Sequence, residues 1–237
     1  MLIVLHQEHS TPGRIGLRLA ARGYALDIRK PRFGDPLPET MDGHAGAVVF
    51  GGPMSANDPD DFVATETDWM AVPLKEGAPL LGVCLGAQML CRHLGGTVST
   101  HPDGLVEIGW YPLATSEAGR ALTGGDWPQI IYQWHSEGMT LPGDATCLAS
   151  SEAFGCQAFS YGASALAIQF HVELTQVMIH RWTTRGSHRF ALPNAQGRDA
   201  HLQGRLLHDH LTRAWLETFL DTWLARDARR GAVACAA

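Results

Sequence analysis

From Leu2 to Gly96 the chain alternates short apolar runs with helical patterns, and few folds accept that alternation. Leu2 to His6, Tyr24 to Arg29, Ala45 to Phe50 and Pro79 to Val83 read as strands. Between them, Ile15, Leu17, Leu19 and Ala20 suit a helix ending near Gly23. Asp61 to Lys75 carries a second helical pattern, with Phe62, Trp69 and Leu74 available for packing, and Leu85 to Leu94 a third, stopped by Gly95-Gly96. Strands that return through helices run parallel, so the expected class is α/β, with a mainly parallel central sheet covered on both faces.

Beyond residue 97 the runs shorten and turn signals multiply. Thr97 to Thr100, Val106 to Leu113, Gln129 to Trp134, Cys147 to Ser150, Gln157 to Tyr161 and Ala165 to Phe170 read as an antiparallel or mixed extension of that sheet. From Gln176 the pattern is helical again. After a polar, Gly-containing break at Gly186 to Arg198, Leu202, Leu206, Leu207, His210, Leu211, Ala214, Trp215, Phe219, Leu220 and Trp223 recur at spacings of three and four, one apolar stripe. The expected organisation is a domain over 1–185 with a helical extension, 186–237, packed on it; only Gly231 to Ala237 looks frayed.

Composition excludes several classes. A formal charge of -6 with no basic run longer than Arg229-Arg230 disfavours nucleic acid. No stretch approaches the ~18 apolar residues of a membrane span. The five cysteines, Cys84, Cys91, Cys147, Cys156 and Cys235, are an odd number in a chain that starts with a strand pattern and not a secretory leader. A reducing cytoplasm is expected, where a thiol stays free for chemistry.

One cysteine sits in a telling context. Gly82-Val83-Cys84-Leu85-Gly86 lies where an apolar strand meets a helix, which makes a nucleophile elbow of such a string: glycines admit a turn that side chains would block. Cys84 would then sit at a helix N-terminus, where unpaired N–H groups favour a thiolate. A core cysteine at the end of a buried strand is the plainer reading, and the string alone favours the nucleophile over it. A thiol needs a base, and the candidate is Phe170-His171-Val172-Glu173, where residues two apart on a strand share a face and Glu173 can orient the His171 ring. By itself a His-x-Glu pair reads more readily as a surface ion pair, and it is the elbow in the same chain that shifts the balance to catalysis. Gly51-Gly52-Pro53 closes another buried strand, and the N–H groups of Gly52 and Leu85 are the candidates for receiving charge on a carbonyl oxygen.

Gly82-Val83-Cys84-Leu85-Gly86-Ala87-Gln88, His171-Val172-Glu173 and the Gly51-Gly52-Pro53 loop together resemble the class I, triad-type glutamine amidotransferases, specifically stand-alone proteins similar to the glutaminase domain of GMP synthase. The resemblance covers about residues 1 to 185, including Asn57-Asp58, Val106 to Trp110 and Gln133-Trp134-His135-Ser136. It implies a flavodoxin-like three-layer α/β/α sandwich, with Cys84 as nucleophile, His171 as proton carrier and Glu173 orienting it. It also implies an oxyanion hole at Gly52 and Leu85, and a glutamine head group held by Gln88, Trp134, His135 and Ser136. Val172 stands where many relatives carry Pro, and Ser136-Glu137 where many carry Gly-Asp after the preceding His.

Glutamine hydrolysis to glutamate and ammonia through a cysteinyl thioester is therefore the leading expectation, with no metal and no cofactor. No P-loop string is present, so any acceptor chemistry belongs to a separate synthetase; a homodimer is the other partner considered. A γ-glutamyl peptidase or hydrolase uses the same chemistry on γ-glutamyl conjugates. A catalytically idle regulatory or binding subunit is the alternative from another class. His201, His208 and His210 are spaced wrongly for three metal ligands on one helical face. The stripe bearing Trp215, Phe219 and Trp223, like Trp69, Trp110 and Trp127, is expected to pack on its own domain.

Overall fold

A computed structural model of the protein describes residues 1–229; Cys235 and the Gly231 to Ala237 tail lie outside the described residues. The first half runs β1 (Leu2–Val4), α1 (Gly13–Ala21), β2 (Asp27–Arg29), β3 (Ala47–Val49), α2 (Asp61–Trp69), α3 (Ala71–Glu76), β4 (Leu80–Val83) and α4 (Leu85–His93). The second runs β5 (Val98–Thr100), β6 (Glu107–Pro112), β7 (Ala114–Thr115), α5 (Glu117–Thr123), β8 (Ile130–His135), β9 (Glu137–Met139), β10 (Thr146–Ser150), β11 (Ala158–Tyr161), β12 (Ala165–Ile168), α6 (Gln176–Arg185) and α7 (Arg198–Ala225). The segment predicted as one helix from Asp61 to Lys75 is two. Pro73 has no N–H to offer the carbonyl of Trp69, and its ring crowds that carbonyl, so the helix restarts at Ala71.

Eight strands form the main sheet in the order β2-β1-β3-β4-β12-β11-β10-β7. The run from β2 to β12 is parallel, and β11, β10 and β7 continue it antiparallel. Two of the expected extensions resolve differently. Ala165 to Ile168 is not peripheral: β12 lies parallel beside β4, pairing Gly82 with Ala167 and Val83 with Ile168. The segments around Val98, Ile108 and Ile131 leave the main sheet and form two separate ladders, β5 with β9 and β6 with β8.

Neighbouring strand residues point to opposite faces, and both faces are dry. Ile3, Val48, Leu81 and Val83 join Ile15, Leu19, Trp215, Phe219 and Trp223 on the side roofed by α1 and α7. Leu2, Val4, Val49 and Leu80 join Val63, Trp69, Leu85 and Met89 on the side of α2, α3 and α4. Burying both faces explains why the strands are apolar without alternation. Trp110 and Trp127 are buried as well, so these two, Trp69 and the final aromatic stripe are packing residues.

The stripe on α7 holds only in its C-terminal half. Leu206, Leu207 and Leu211 are 78%, 64% and 50% exposed, and His210 and Ala214 also face outward. The face turned inward carries His201, Gly204, Asp209 and Thr212 before it reaches Trp215, Leu216, Phe219 and Leu220. A helix presents one face along its length, and here the aromatic end and a buried ion pair set which one. Asp209 accepts two hydrogen bonds from the Arg14 guanidinium, both at 2.9 Å.

Candidate active site

Three adjacent parallel strands end side by side. Gly51 and Gly52 follow β3, Cys84 follows β4, and His171 follows β12, so the register Val49 to Gly82 and Val83 to Ile168 converges all three exits. The C-terminal edge of a parallel sheet is where ligands bind in such folds.

Cys84 has φ 51° and ψ -106°, one of two non-glycine residues with positive φ among the described residues. A side-chain-bearing residue held there is strained, and the surrounding contacts hold it. Cys84 N donates to Ile168 O at 2.8 Å, tying the corner to β12. The flanking glycines have the steric duty assigned to them: a Cβ on Gly86 would lie 2.0 Å from the Val49 carbonyl oxygen, and one on Gly82 2.7 Å from the Gly86 oxygen. Gly86→Ala should therefore push α4 off β3 and cost about 1–3 kcal/mol, read as a lowered urea midpoint.

His171 lies just past the strand, not on it. β12 ends at Ile168, and the ring is placed by a turn whose backbone is pinned from two sides: His171 N donates to Tyr132 O at 2.9 Å, and Arg14 N to Glu173 O at 2.8 Å. Gly13, with φ +51°, permits the second contact, because a Cβ there would meet Glu173 O at 2.3 Å. The turn still joins the predicted pair, with His171 Nδ1 2.7 Å from Glu173 Oε1, both side chains buried.

The other ring nitrogen, Nε2, is buried without a partner of ordinary hydrogen-bond geometry, yet the ring is beside the sulfur. One point, the Cβ position of Gly51, lies 3.2 Å from His171 Cε1 and 3.6 Å from Cys84 Sγ. Burial alone would lower the ring's pKa, but the charges of Glu173 and Cys84, with the hydrogen bond to Glu173, outweigh it and hold the pKa raised to about 10. A raised pKa means that the protonated ring's contribution to stability is complete below about pH 6.5 and is lost as pH rises through about 10. Thermal melts of wild type and His171→Gln should thus differ most near pH 6, the gap closing by several degrees towards pH 10.

Gly52 packs on the Leu85 side chain, a Cβ there lying 3.1 Å from Leu85 Cδ2, and neither Gly52 N–H nor Leu85 N–H has a hydrogen-bond partner among the described residues. Beneath this loop His6 Nε2 pairs with Glu66 Oε2 at 2.6 Å, and His6 Nδ1 lies 3.3 Å from Gly51 O. Gln88 is buried, its amide donating to Glu137 O at 3.0 Å and Gln169 Oε1 at 3.1 Å, so it fastens the elbow helix to the β8–β9 corner.

The predicted head-group residues divide. His135 has both ring nitrogens engaged, Nδ1 with Glu137 O at 2.9 Å and Nε2 with Glu107 Oε2 at 3.2 Å, and it supports the corner from inside. Trp134 is half-buried, stacked near Tyr132 and against Trp182 and Phe190. Ser136 accepts a hydrogen bond from Arg189. Sequence reasoning does not single out Arg189, nor Tyr132, Arg14 and Asp209. A basic residue beside an aromatic, Arg189-Phe190, is the only local signal in a stretch that reads as a polar break. His201 bonds Tyr132 OH and Gln196 O, His208 packs on Trp110, and His210 faces outward, so these histidines do not converge. Cys84, Cys91, Cys147 and Cys156 are all free thiols.

The class-I glutamine amidotransferase family matches residues 13–178, well over half of the sequence. The chain belongs to that family. It is 29% identical over 180 residues to YfeJ of Salmonella typhimurium, named a glutamine amidotransferase-like protein, covering 73% of this chain and 74% of that one. It is 31% identical to one subunit of the glutamine-hydrolysing GMP synthase of Methanospirillum hungatei, covering 66% and 78%. Against the longer GMP synthase of Hamiltonella defensa the match spans only 26% of that enzyme. A solved glutamine amidotransferase from Thermotoga maritima superimposes with a TM-score of 0.84 at 25% identity over 94% of this chain and 96% of its own. One from Methylobacillus flagellatus shares the fold, with a TM-score of 0.89, 24% identity, and coverage of 95% and 94%. The flavodoxin-like α/β architecture is thus that of the family. No helix among the described residues is long and apolar enough to cross a membrane.

Proposed function

We propose that the protein hydrolyses the γ-amide of glutamine, or of a related γ-glutamyl compound, with Cys84, His171 and Glu173 as its catalytic triad. The observation that carries this is the sulfur beside an imidazole whose far nitrogen is held by Glu173, at the shared exit of β3, β4 and β12. Cys84 Sγ attacks the amide carbon, and the N–H groups of Gly52 and Leu85 receive the charge that builds on oxygen. The C–N bond breaks as His171 gives its proton to the departing nitrogen, leaving a thioester. Water then adds with His171 taking its proton, and glutamate leaves as the thiolate is restored. Glu173 keeps the ring oriented throughout. Trp134 and Ser136 form the wall for the head group, while Gln88 and His135 hold that wall in place.

No cofactor or metal is needed for these steps. The Methanospirillum relative is named as one part of a larger synthase, which supports a separate synthetase as receiver of the ammonia. Free thiols fit a reducing, cytoplasmic setting. A γ-glutamyl hydrolase differs only in the leaving amine, and an idle subunit only in lacking turnover. One screen separates them: glutamine and γ-glutamyl dipeptides incubated with the wild type and Cys84→Ser, with ammonia and glutamate both quantified. Turnover of glutamine lost in the variant is the expected result; preference for dipeptides selects the hydrolase, and equal background from both proteins removes the enzyme reading.

A further inference from the structure

Arg189 lies in the short helical turn Ser187–Ala191, after the stretch that the family match covers. Its guanidinium donates to Ser136 Oγ and sits 6.0 Å above the Trp134 ring, so one end of it is fixed on the proposed head-group wall. The negative charge of a Cys84 thiolate reaches it, acting against the burial that otherwise lowers its pKa. The wall itself reaches the triad, since Trp134 packs on Trp182 and Trp182 on the His171 ring. The other guanidinium N–H groups of Arg189 make no hydrogen bond, and no carboxylate lies within ion-pairing distance, among the described residues.

A half-buried cation without a counter-charge is unfavourable, and proteins keep one where an anion arrives with a ligand. Contrast Arg14, also drawn inward but with its charge matched by Asp209, both of whose carboxylate oxygens accept from Arg14 Nη2. A guanidinium anchored through one nitrogen keeps its planar fork open to a carboxylate, for which its geometry is suited. The γ-glutamyl group carries one carboxylate at the far end from the amide carbon that Cys84 would attack. Resting on the γ-glutamyl reading above, we infer that Arg189 is a specificity-determining residue that binds the substrate's α-carboxylate, anchored for that task by Ser136 and Trp134. The turn that follows α6 thereby completes a pocket whose other walls come from the matched domain.

The test uses alkylation of Cys84, followed by intact mass, with 6-diazo-5-oxo-L-norleucine and with its methyl ester, which masks the carboxylate. Wild type should react roughly 10- to 100-fold faster with the free acid than with the ester, and Arg189→Gln should lose that preference by slowing with the acid alone. Arg189→Lys should recover only part, because a point charge replaces a fork. Circular dichroism melts check that both variants are folded, and steady-state glutamine kinetics should show the loss mainly in KM. Equal slowing with acid and ester, or no slowing, would overturn the assignment. A wild type modified at Cys84 by iodoacetamide but by neither diazoketone would overturn the γ-glutamyl reading itself, and this inference with it.

Discussion

Cys84→Ala should lower kcat for glutamine by on the order of 10⁴ or more while leaving the fold intact. The effect is large because the proposed acyl intermediate forms on this sulfur, so its loss would remove the two-step route. The fold should survive because the elbow is held by backbone: the Cys84 N–H bond to Ile168 O and the close fit of Gly86 on Val49 do not involve the thiol. Assay of glutamate release, with intact mass showing an acyl adduct on wild type and none on the variant, checks both halves. The variant also carries a spectroscopic signature: the Cys84 charge is one of the influences raising the His171 pKa, so the imidazole should titrate lower once the sulfur is gone. A ring that titrates unchanged would mean that sulfur and imidazole do not communicate.

Asp209→Ala should cost about 3–5 kcal/mol of stability, a fall of roughly 10 °C in Tm, although Asp209 is remote in sequence from every proposed catalytic group. Arg14 Nη2 donates to both carboxylate oxygens of Asp209, and Nη1 donates to the Val172 carbonyl at 3.3 Å. Burial already presses the Arg14 pKa down, and Asp209 is the charge that opposes it. Without that partner Arg14 is an uncompensated cation between α1 and α7, free to pull away from the turn that carries Glu173. Activity should therefore fall with stability. Arg14→Met combined with Asp209→Leu removes the charge from both sides and should recover most of the lost Tm, since an apolar pair of similar volume often replaces a buried ion pair without loss. Failure of the double variant to recover would mean that the Val172 contact, and not charge compensation, is what Arg14 supplies.

What the sequence discloses follows from how local each constraint is. The elbow is legible because a strand, a cysteine between glycines and a helix occupy consecutive residues, and the steric demand at Gly82 and Gly86 is written into that string. His171 and Glu173 are legible as a pair through their spacing, though a turn and not a strand brings them together. The central place of β12 is not, because an apolar run of four residues reads alike at the edge and in the middle of a sheet. The inward face of α7 escapes sequence reading because leucines outnumber its polar anchors, and nothing near Asp209 announces a partner at Arg14. Arg189 is illegible for the same reason: its contacts with Ser136 and Trp134 are ones that no local pattern encodes.

The roof over one side of the sheet, contributed largely by α7, is the last described element the ribosome would release. Until Trp215, Phe219 and Trp223 emerge, the strands that carry the elbow present an uncovered oily surface, and the Arg14 grip on the Glu173 turn has no counter-ion. The surroundings of Cys84 are thus completed only once α7 has followed every strand of the sheet, and a chain paused before it leaves that face wet.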